Sequence, residues 1–149
     1  MYKFMICLVS FIIIFQITDV WCYELTDAKP QNADSIKWEN ITPEEVRQKL
    51  DANEDMVLLD VRSKKEFNGS LGRLPGALLI PNTELEKANL DMMGNKDRMI
   101  IVYCRSGMRS QIASNILVKK GFTSIKNMTG GILKWNELYH KPYDKGKEN

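Results

Sequence analysis

The stretch MIIVYCRSGMRS, residues 99–110, decides the fold. Its first five residues form an unbroken apolar run, which is typical of a strand buried on both faces of a parallel sheet. A polar segment containing Gly107 follows, and then a helical pattern runs from Gln111 to Lys120 before Gly121 ends it. Cys104 therefore lies at the turn from a buried strand into a helix. In open parallel sheets this turn is where ligands bind.

Further short apolar runs on both sides of this stretch predict more strands, and helical patterns separate them. The predicted strands cover residues 38–41, 56–60, 77–80 and 124–128, and the predicted helices begin after Thr42 and cover residues 83–90, 111–120 and 131–138. Thr42, Pro43 and Glu45 form a helix start with a capping box, and the 111–120 helix is expected to bury Ile112, Ala113, Ile116 and Leu117. This alternation predicts an α/β fold, a central parallel sheet with helices on both faces.

The length and the charge limit the classes of protein that are possible. The chain has 149 residues, enough for one compact domain, and a formal net charge of +2 from 21 basic and 19 acidic residues. That balance gives no reason to expect a nucleic acid partner. We expect a leader over residues 1–22, a linker over 23–35, the folded domain over 36–140 and a disordered tail over 141–149.

The leader carries one early positive charge at Lys3 and an apolar run from Phe4 to Ile17. The run is shorter than the roughly 20 residues that span a bilayer, so it favours a secretory signal peptide. Two alternatives stay open, an uncleaved membrane anchor and a lipid attached to Cys22. The predicted location is therefore periplasmic or extracellular, with contact to a membrane only through such an anchor.

Three cysteines are present, and two of them, Cys7 and Cys22, lie in the leader or at its edge. The exported domain would hold Cys104 alone, which excludes an internal disulfide and favours a reactive thiol over an inert buried one. The residues after Cys104 suit that chemistry. Gly107 lets backbone N–H groups converge, Arg105 and Arg109 add positive charge, and Ser106 and Ser110 add hydroxyl donors. Such surroundings lower the pKa of a thiol and produce a thiolate nucleophile.

Four motifs resemble the rhodanese-like family, single-domain sulfurtransferases, from about Ile36 to His140. Residues 104–110, including Met108, resemble its active-site loop. The other three are Asp60-Val61-Arg62 with Glu66-Phe67, then Gly72-Arg73-Leu74-Pro75-Gly76-Ala77, and finally Gly130-Gly131-Ile132 with Trp135. The resemblance implies a three-layer rhodanese-like fold. It implies that Cys104 takes a sulfane sulfur from a donor such as thiosulfate, and that the resulting persulfide is held by loop N–H groups and attacked by a thiol or cyanide.

Residues 105–110 are then the expected substrate-binding residues, supported by Asp60, Arg62 and Arg73. The resemblance suggests that Asp60 orients the loop through Arg109. Two departures from the family pattern affect substrate preference: Asn68-Gly69-Ser70-Leu71 occupies the place of two residues, and Arg73 replaces the commoner histidine.

Two other functions stay open at this point. A cysteine phosphatase or arsenate reductase also places a thiolate in an anion-binding loop, but such loops resemble a cysteine, five residues and an arginine, whereas Arg109 follows Cys104 after four. The other is a rhodanese-like module that carries persulfide or binds a partner with little turnover on small molecules. No cofactor beyond the covalent persulfide is expected. No metal is expected either, because the single histidine, His140, has no second ligand nearby.

Overall fold

The computed structural model describes residues 37–139, and these residues form a five-stranded sheet with helices on both faces. The strands are β1 (Glu39–Ile41), β2 (Val57–Asp60), β3 (Leu78–Leu79), β4 (Ile100–Tyr103) and β5 (Ile125–Met128). The helices are α1 (Pro43–Asp51), α2 (Lys64–Phe67), α3 (Met108–Lys119) and α4 (Gly131–Tyr139), and a short 3-10 helix covers Asp91–Met93.

The sheet has the strand order β1-β5-β4-β2-β3, and every neighbouring pair is parallel. The apolar strand β4 therefore lies in the middle, between β5 and β2. In the register of β2 with β4, Asp60 lies beside Tyr103. Both strands end at this level, so the residues that follow them, including Cys104, meet at the carboxyl edge of the sheet.

Successive residues of β4 face opposite sides of the sheet, which divides the core into two layers. Ile100 and Val102 pack on one side with α3, while Ile101 and Tyr103 pack on the other side with α1 and α4. All four are fully buried. A strand buried on both faces has no polar alternation, and this is why β4 reads as a continuous apolar run. The predicted α/β fold with helices on both faces is confirmed.

The start of α1 is confirmed as predicted. The Thr42 side chain accepts from the backbone N–H of Glu45, and the Glu45 carboxylate accepts from the backbone N–H of Thr42. The same reciprocal arrangement starts α2, where Ser63 and Glu66 take the two roles. Helix α2 was not predicted, although serine followed three residues later by glutamate is the same signal.

Two local predictions are wrong. Residues 83–90 form successive turns rather than a helix, and only then does the 3-10 helix follow. A segment this short has little helical stability of its own, and the Asn89 side chain accepts from the backbone N–H of Asp91 instead. On α3, Ile112 is 54% exposed. The buried face is rotated and consists of Ser110, Ala113, Ser114 and Leu117, because Ser110 contacts the thiol of Cys104.

Several predictions concern residues outside the described range. These are the signal peptide or anchor over 1–22, the linker over 23–35, the placement of His140 and the tail over 141–149, and they stay predictions. Within residues 37–139, no helix has both the length and the apolar character needed to cross a bilayer.

Candidate active site

The loop that follows β4 wraps around the sulfur of Cys104. Cys104 is only 1% exposed. The backbone N–H of Gly107 donates to its Sγ at 3.1 Å. Gly107 has φ 109°, a value that favours glycine, and it lies at the N-cap position of α3. The chain therefore turns back on itself at Gly107, and the free N–H groups at the start of α3 point towards the sulfur.

Ser110 lies on the first turn of α3 with its hydroxyl beside the same sulfur. Its Oγ lies 3.6 Å from Cys104 Sγ and donates to the Gly107 carbonyl at 2.9 Å. A hydroxyl has one hydrogen, so Ser110 donates either to the carbonyl or to the sulfur. Gly107 donates to Sγ at 3.1 Å through its backbone, and the Ser110 hydroxyl has two acceptors within reach, the sulfur and the Gly107 carbonyl.

These donors change the acidity of the thiol. Burial raises the pKa of Cys104, but hydrogen bonds from the Ser110 side chain and from the backbone N–H groups of Ser110, Gly107 and Ser106 lower it by more. The pKa of Cys104 therefore lies below the ordinary value of a cysteine. The predicted lowering of the pKa is present, and its main contributions are the hydrogen bonds of the loop rather than the arginine charges.

We expect the rate of Cys104 alkylation by iodoacetamide to rise with pH through an apparent pKa below about 8.5, the value of a free thiol. The measurement is the alkylation rate between about pH 5 and pH 10, followed by mass spectrometry. The variant Ser110→Ala removes one donor, so it should shift the midpoint upwards. A wild-type midpoint at or above the free value would contradict the hydrogen-bond account.

Helix α4 closes the loop from the other side. Its first N–H groups have no partner within the helix, and the carbonyls of the loop accept them. Ile132 N–H donates to the Cys104 carbonyl at 2.9 Å, and Leu133 N–H donates to the Arg105 carbonyl at 3.1 Å. Gly131 comes so close to the loop that an added Cβ would lie 2.4 Å from the Cys104 carbonyl oxygen.

We expect Gly131→Ala to destabilise the protein by at least about 2 kcal/mol. The residue has φ 57°, which costs a non-glycine residue about 1–2 kcal/mol, and the backbone overlap with the loop adds to that. Urea unfolding measures the loss, and Gly121→Ala is the matched control, since Gly121 also has positive φ but has open space around its Cβ position. Equal losses in the two variants would show that the contact with the loop contributes nothing.

Arg109 is held by Glu66 rather than by Asp60. Its Nη1 and Nη2 donate to the two carboxylate oxygens of Glu66 at 2.7 and 2.6 Å. These bonds, together with hydrogen bonds from Ser63, lower the pKa of the Glu66 carboxyl to about 2. The suggested contact between Asp60 and Arg109 is therefore wrong. In the sequence, Glu66 is part of a motif that does not by itself indicate this role.

Asp60 pairs with Arg62 instead, and both side chains are completely buried. The Asp60 carboxylate accepts from the backbone N–H, Nε and Nη2 of Arg62, and Nη2 also donates to the Gly72 carbonyl at 2.6 Å. This pair connects the end of β2 to the turn before β3. Arg62 also lies over the ring of Tyr103, the residue before Cys104, at 5.8 Å.

The other predicted site residues lie at the surface of the protein. Arg105 and Ser106 are exposed, and Met108 is 71% exposed. Arg73 is exposed too, with its guanidinium 4.6 Å from the centre of the Phe67 ring and a hydrogen bond to Asn68. Among the described residues, no hydrogen bond or ion pair connects Arg73 to the loop. The structure thus gathers Gly107, Ser110 and the Ser106 N–H around the sulfur, with Arg109 further out.

This arrangement can stabilise a thiolate and the negative charge that develops on a sulfur bound to it. Donors fixed before the reaction are effective because they need no reorganisation when charge appears. The Gly107 N–H is already in place at the cysteine sulfur, at 3.1 Å. These contacts suit a Cys104 thiolate that attacks an electrophilic sulfur atom.

Comparison with known proteins agrees with the geometry. The family model described as a rhodanese-like domain matches residues 42–138. A sulfurtransferase of Allochromatium vinosum is 35% identical over 95 residues, which cover 64% of this chain and 85% of that protein. A putative sulfur carrier protein of Bacillus subtilis is 34% identical over 105 residues, which cover 70% of this chain and 54% of that protein.

The chain spans only about half of the carrier's length, and 26% of a probable adenylyltransferase/sulfurtransferase of Mycobacterium tuberculosis that it also matches. Among solved structures, a human single-domain sulfurtransferase superposes with a TM-score of 0.59 at 26% identity, covering 68% of this chain and 97% of that one. A rhodanese-like domain protein of Staphylococcus aureus gives 0.58 at 29% identity, with 72% and 94% covered.

Proposed function

The chain belongs to the rhodanese-like domain family, and we propose on that premise that it is a sulfurtransferase that carries a sulfane sulfur on Cys104. The donor is a small molecule such as thiosulfate, and the acceptor is a thiol or cyanide. Relatives named as a sulfurtransferase and as a putative sulfur carrier support the reaction class.

The proposed reaction has two displacements. In the first, the Cys104 thiolate attacks the outer sulfur of thiosulfate, a new S–S bond forms at Cys104, the S–S bond of the donor breaks, and sulfite leaves with the electron pair. In the second, the acceptor attacks the outer sulfur of the persulfide, and the S–S bond breaks with its electrons returning to Cys104. With cyanide as acceptor, the product is thiocyanate.

The observation that carries this proposal is the contact between the Gly107 N–H and Cys104 Sγ at 3.1 Å. It places a fixed donor on the one sulfur that must be anionic at the start of the reaction and again at its end. The Ser110 hydroxyl and the Ser106 N–H add to the same field. The four residues between Cys104 and Arg109, one fewer than in the phosphatase pattern, favour a single bound sulfur atom over the tetrahedral oxyanion of a phosphatase.

The test is thiocyanate production by the purified protein from thiosulfate and cyanide, combined with mass spectrometry after thiosulfate alone. We expect steady turnover, and the mass of one extra sulfur on the peptide that contains Cys104. Sulfur on Cys104 with turnover only towards a thiol acceptor would favour the carrier role that the Bacillus subtilis relative's name suggests. Absence of both signals, with organic persulfide donors also inactive, would refute the proposal.

A further inference from the structure

The Glu66 carboxylate has partners in two separate segments of the fold. Its carboxylate accepts from the backbone N–H and the hydroxyl of Ser63 at 3.1 and 3.0 Å, which caps the start of α2. The same carboxylate accepts two hydrogen bonds from Arg109 on the first turn of α3. One side chain thus connects the segment after β2 with the segment after β4, across 43 positions of sequence.

Arg109 is well placed to transmit this contact to the sulfur. It is the second residue of α3 and directly precedes Ser110 in the sequence. The Ser110 hydroxyl faces Cys104 Sγ. A bidentate pair of arginine with carboxylate fixes both distance and orientation, unlike a single contact. Both side chains are only partly exposed, 37% for Arg109 and 29% for Glu66. Holding Arg109 therefore holds the first turn of α3 and the donors that face the sulfur.

We propose that Glu66 is a positioning residue for the Cys104 loop and acts through Arg109. The inference rests on the proposed sulfurtransferase function only for its activity readout. Glu66 does not contact the sulfur. It affects the position of the first turn of α3, which carries the Ser110 donors. A displacement of about 1 Å at a reacting group can cost about 100-fold in rate, even when the change is made away from the chemistry.

The chain contains a matched control for this proposal. Glu45 has the same place in the capping box of α1 that Glu66 has in the box of α2. Its carboxylate accepts from the N–H and hydroxyl of Thr42 at 2.8 and 3.0 Å and makes no hydrogen bond to residues 104–110. Glu45→Ala therefore removes a helix cap of the same kind and leaves the active-site loop untouched.

The experiment compares Glu66→Ala, Arg109→Ala, the double variant and Glu45→Ala by kcat/KM for thiocyanate production. We expect Glu66→Ala to lower kcat/KM by about 10- to 100-fold, whereas Glu45→Ala stays close to wild type. Because Glu66 acts through Arg109, the double variant should lose no more than Arg109→Ala alone. Glu66→Gln keeps the volume and one acceptor oxygen, so it should lie between wild type and Glu66→Ala, and it serves if the alanine variant does not fold.

A second readout, the apparent pKa of Cys104 from iodoacetamide alkylation, needs no sulfur donor. We expect Glu66→Ala to shift it and Glu45→Ala to leave it unchanged, with no further shift when Glu66→Ala is added to Arg109→Ala. Wild-type protein with neither turnover nor sulfur on Cys104, and with organic persulfide donors also inactive, would refute the proposed function, and the alkylation cycle would still decide the role of Glu66. Glu66→Ala behaving like Glu45→Ala in both readouts, or fully additive losses in the double variant, would overturn the inference.

Discussion

Replacing Cys104 with serine is expected to abolish sulfur transfer while the protein stays folded. The substitution keeps the shape of the side chain at a site that is 1% exposed, and the Gly107 N–H still finds an acceptor. An alcohol does not ionise at neutral pH and forms no persulfide, so neither displacement can take place. Loss of a covalent nucleophile typically costs on the order of 10⁴-fold or more in kcat, which puts turnover below the limit of the thiocyanate assay.

The measurement is thiocyanate production beside circular dichroism and urea unfolding of the same samples. Cys104→Ala serves as a second variant, since it removes the acceptor as well as the nucleophile. The control is Met92→Ser, which changes a sulfur-containing side chain that is 63% exposed and belongs to the 3-10 helix rather than to the loop. Turnover above a tenth of wild type in Cys104→Ser would mean that another group carries the sulfur.

The second large effect concerns the buried pair of Asp60 and Arg62. Asp60→Ala is expected to destabilise the protein by about 3–5 kcal/mol, because it leaves the Arg62 guanidinium charged and without its partner in the interior. Both side chains have no solvent exposure, so water cannot replace the lost carboxylate. The free energy of unfolding of a single domain is about 5–15 kcal/mol, so Asp60→Ala should remove a substantial part of it.

Urea unfolding monitored by tryptophan fluorescence measures this loss. Asp60→Leu combined with Arg62→Met should recover much of it, because apolar residues of similar size often replace a buried ion pair without cost. Glu137→Ala is the control, since it breaks the exposed pair with Lys134, and such pairs contribute little. If Asp60→Ala and Glu137→Ala had similar effects, the Asp60–Arg62 pair would be irrelevant to stability.

The sequence was informative wherever the physical signal was local. The run before Cys104 predicted the central strand because a strand covered on both faces must be apolar throughout. The loop was predictable since its donors, turn and nucleophile are contiguous. The start of α1 was predictable because a capping box needs only four residues, and the same reading applied to Ser63 would have found α2.

The carboxylates that pair with the arginines were harder to predict, because burial and elements distant in the sequence determine which side chains meet. Asp60 was assigned to Arg109, yet it pairs with Arg62, which is fully buried and could not remain there without a carboxylate. Arg109 is partly exposed and pairs with Glu66 from another helix. Nothing in the spacing of Glu66 and Arg109 indicates that α2 and α3 bring them together. The burial of α3 was misjudged for a related reason, since the contact of Ser110 with the thiol determines which face turns inward.

The hydrogen bonds from α4 to the carbonyls of Cys104 and Arg105 have a consequence for the order in which the protein is made. A ribosome synthesises the cysteine and its loop before Ile132 and Leu133, whose N–H groups hold that loop. It also synthesises β1 long before β5, the strand with which β1 pairs. We therefore expect a nascent chain that ends before Gly130 to present Cys104 as an ordinary thiol. The lowered pKa of Cys104 should appear only when α4 has left the ribosome and packed against the loop.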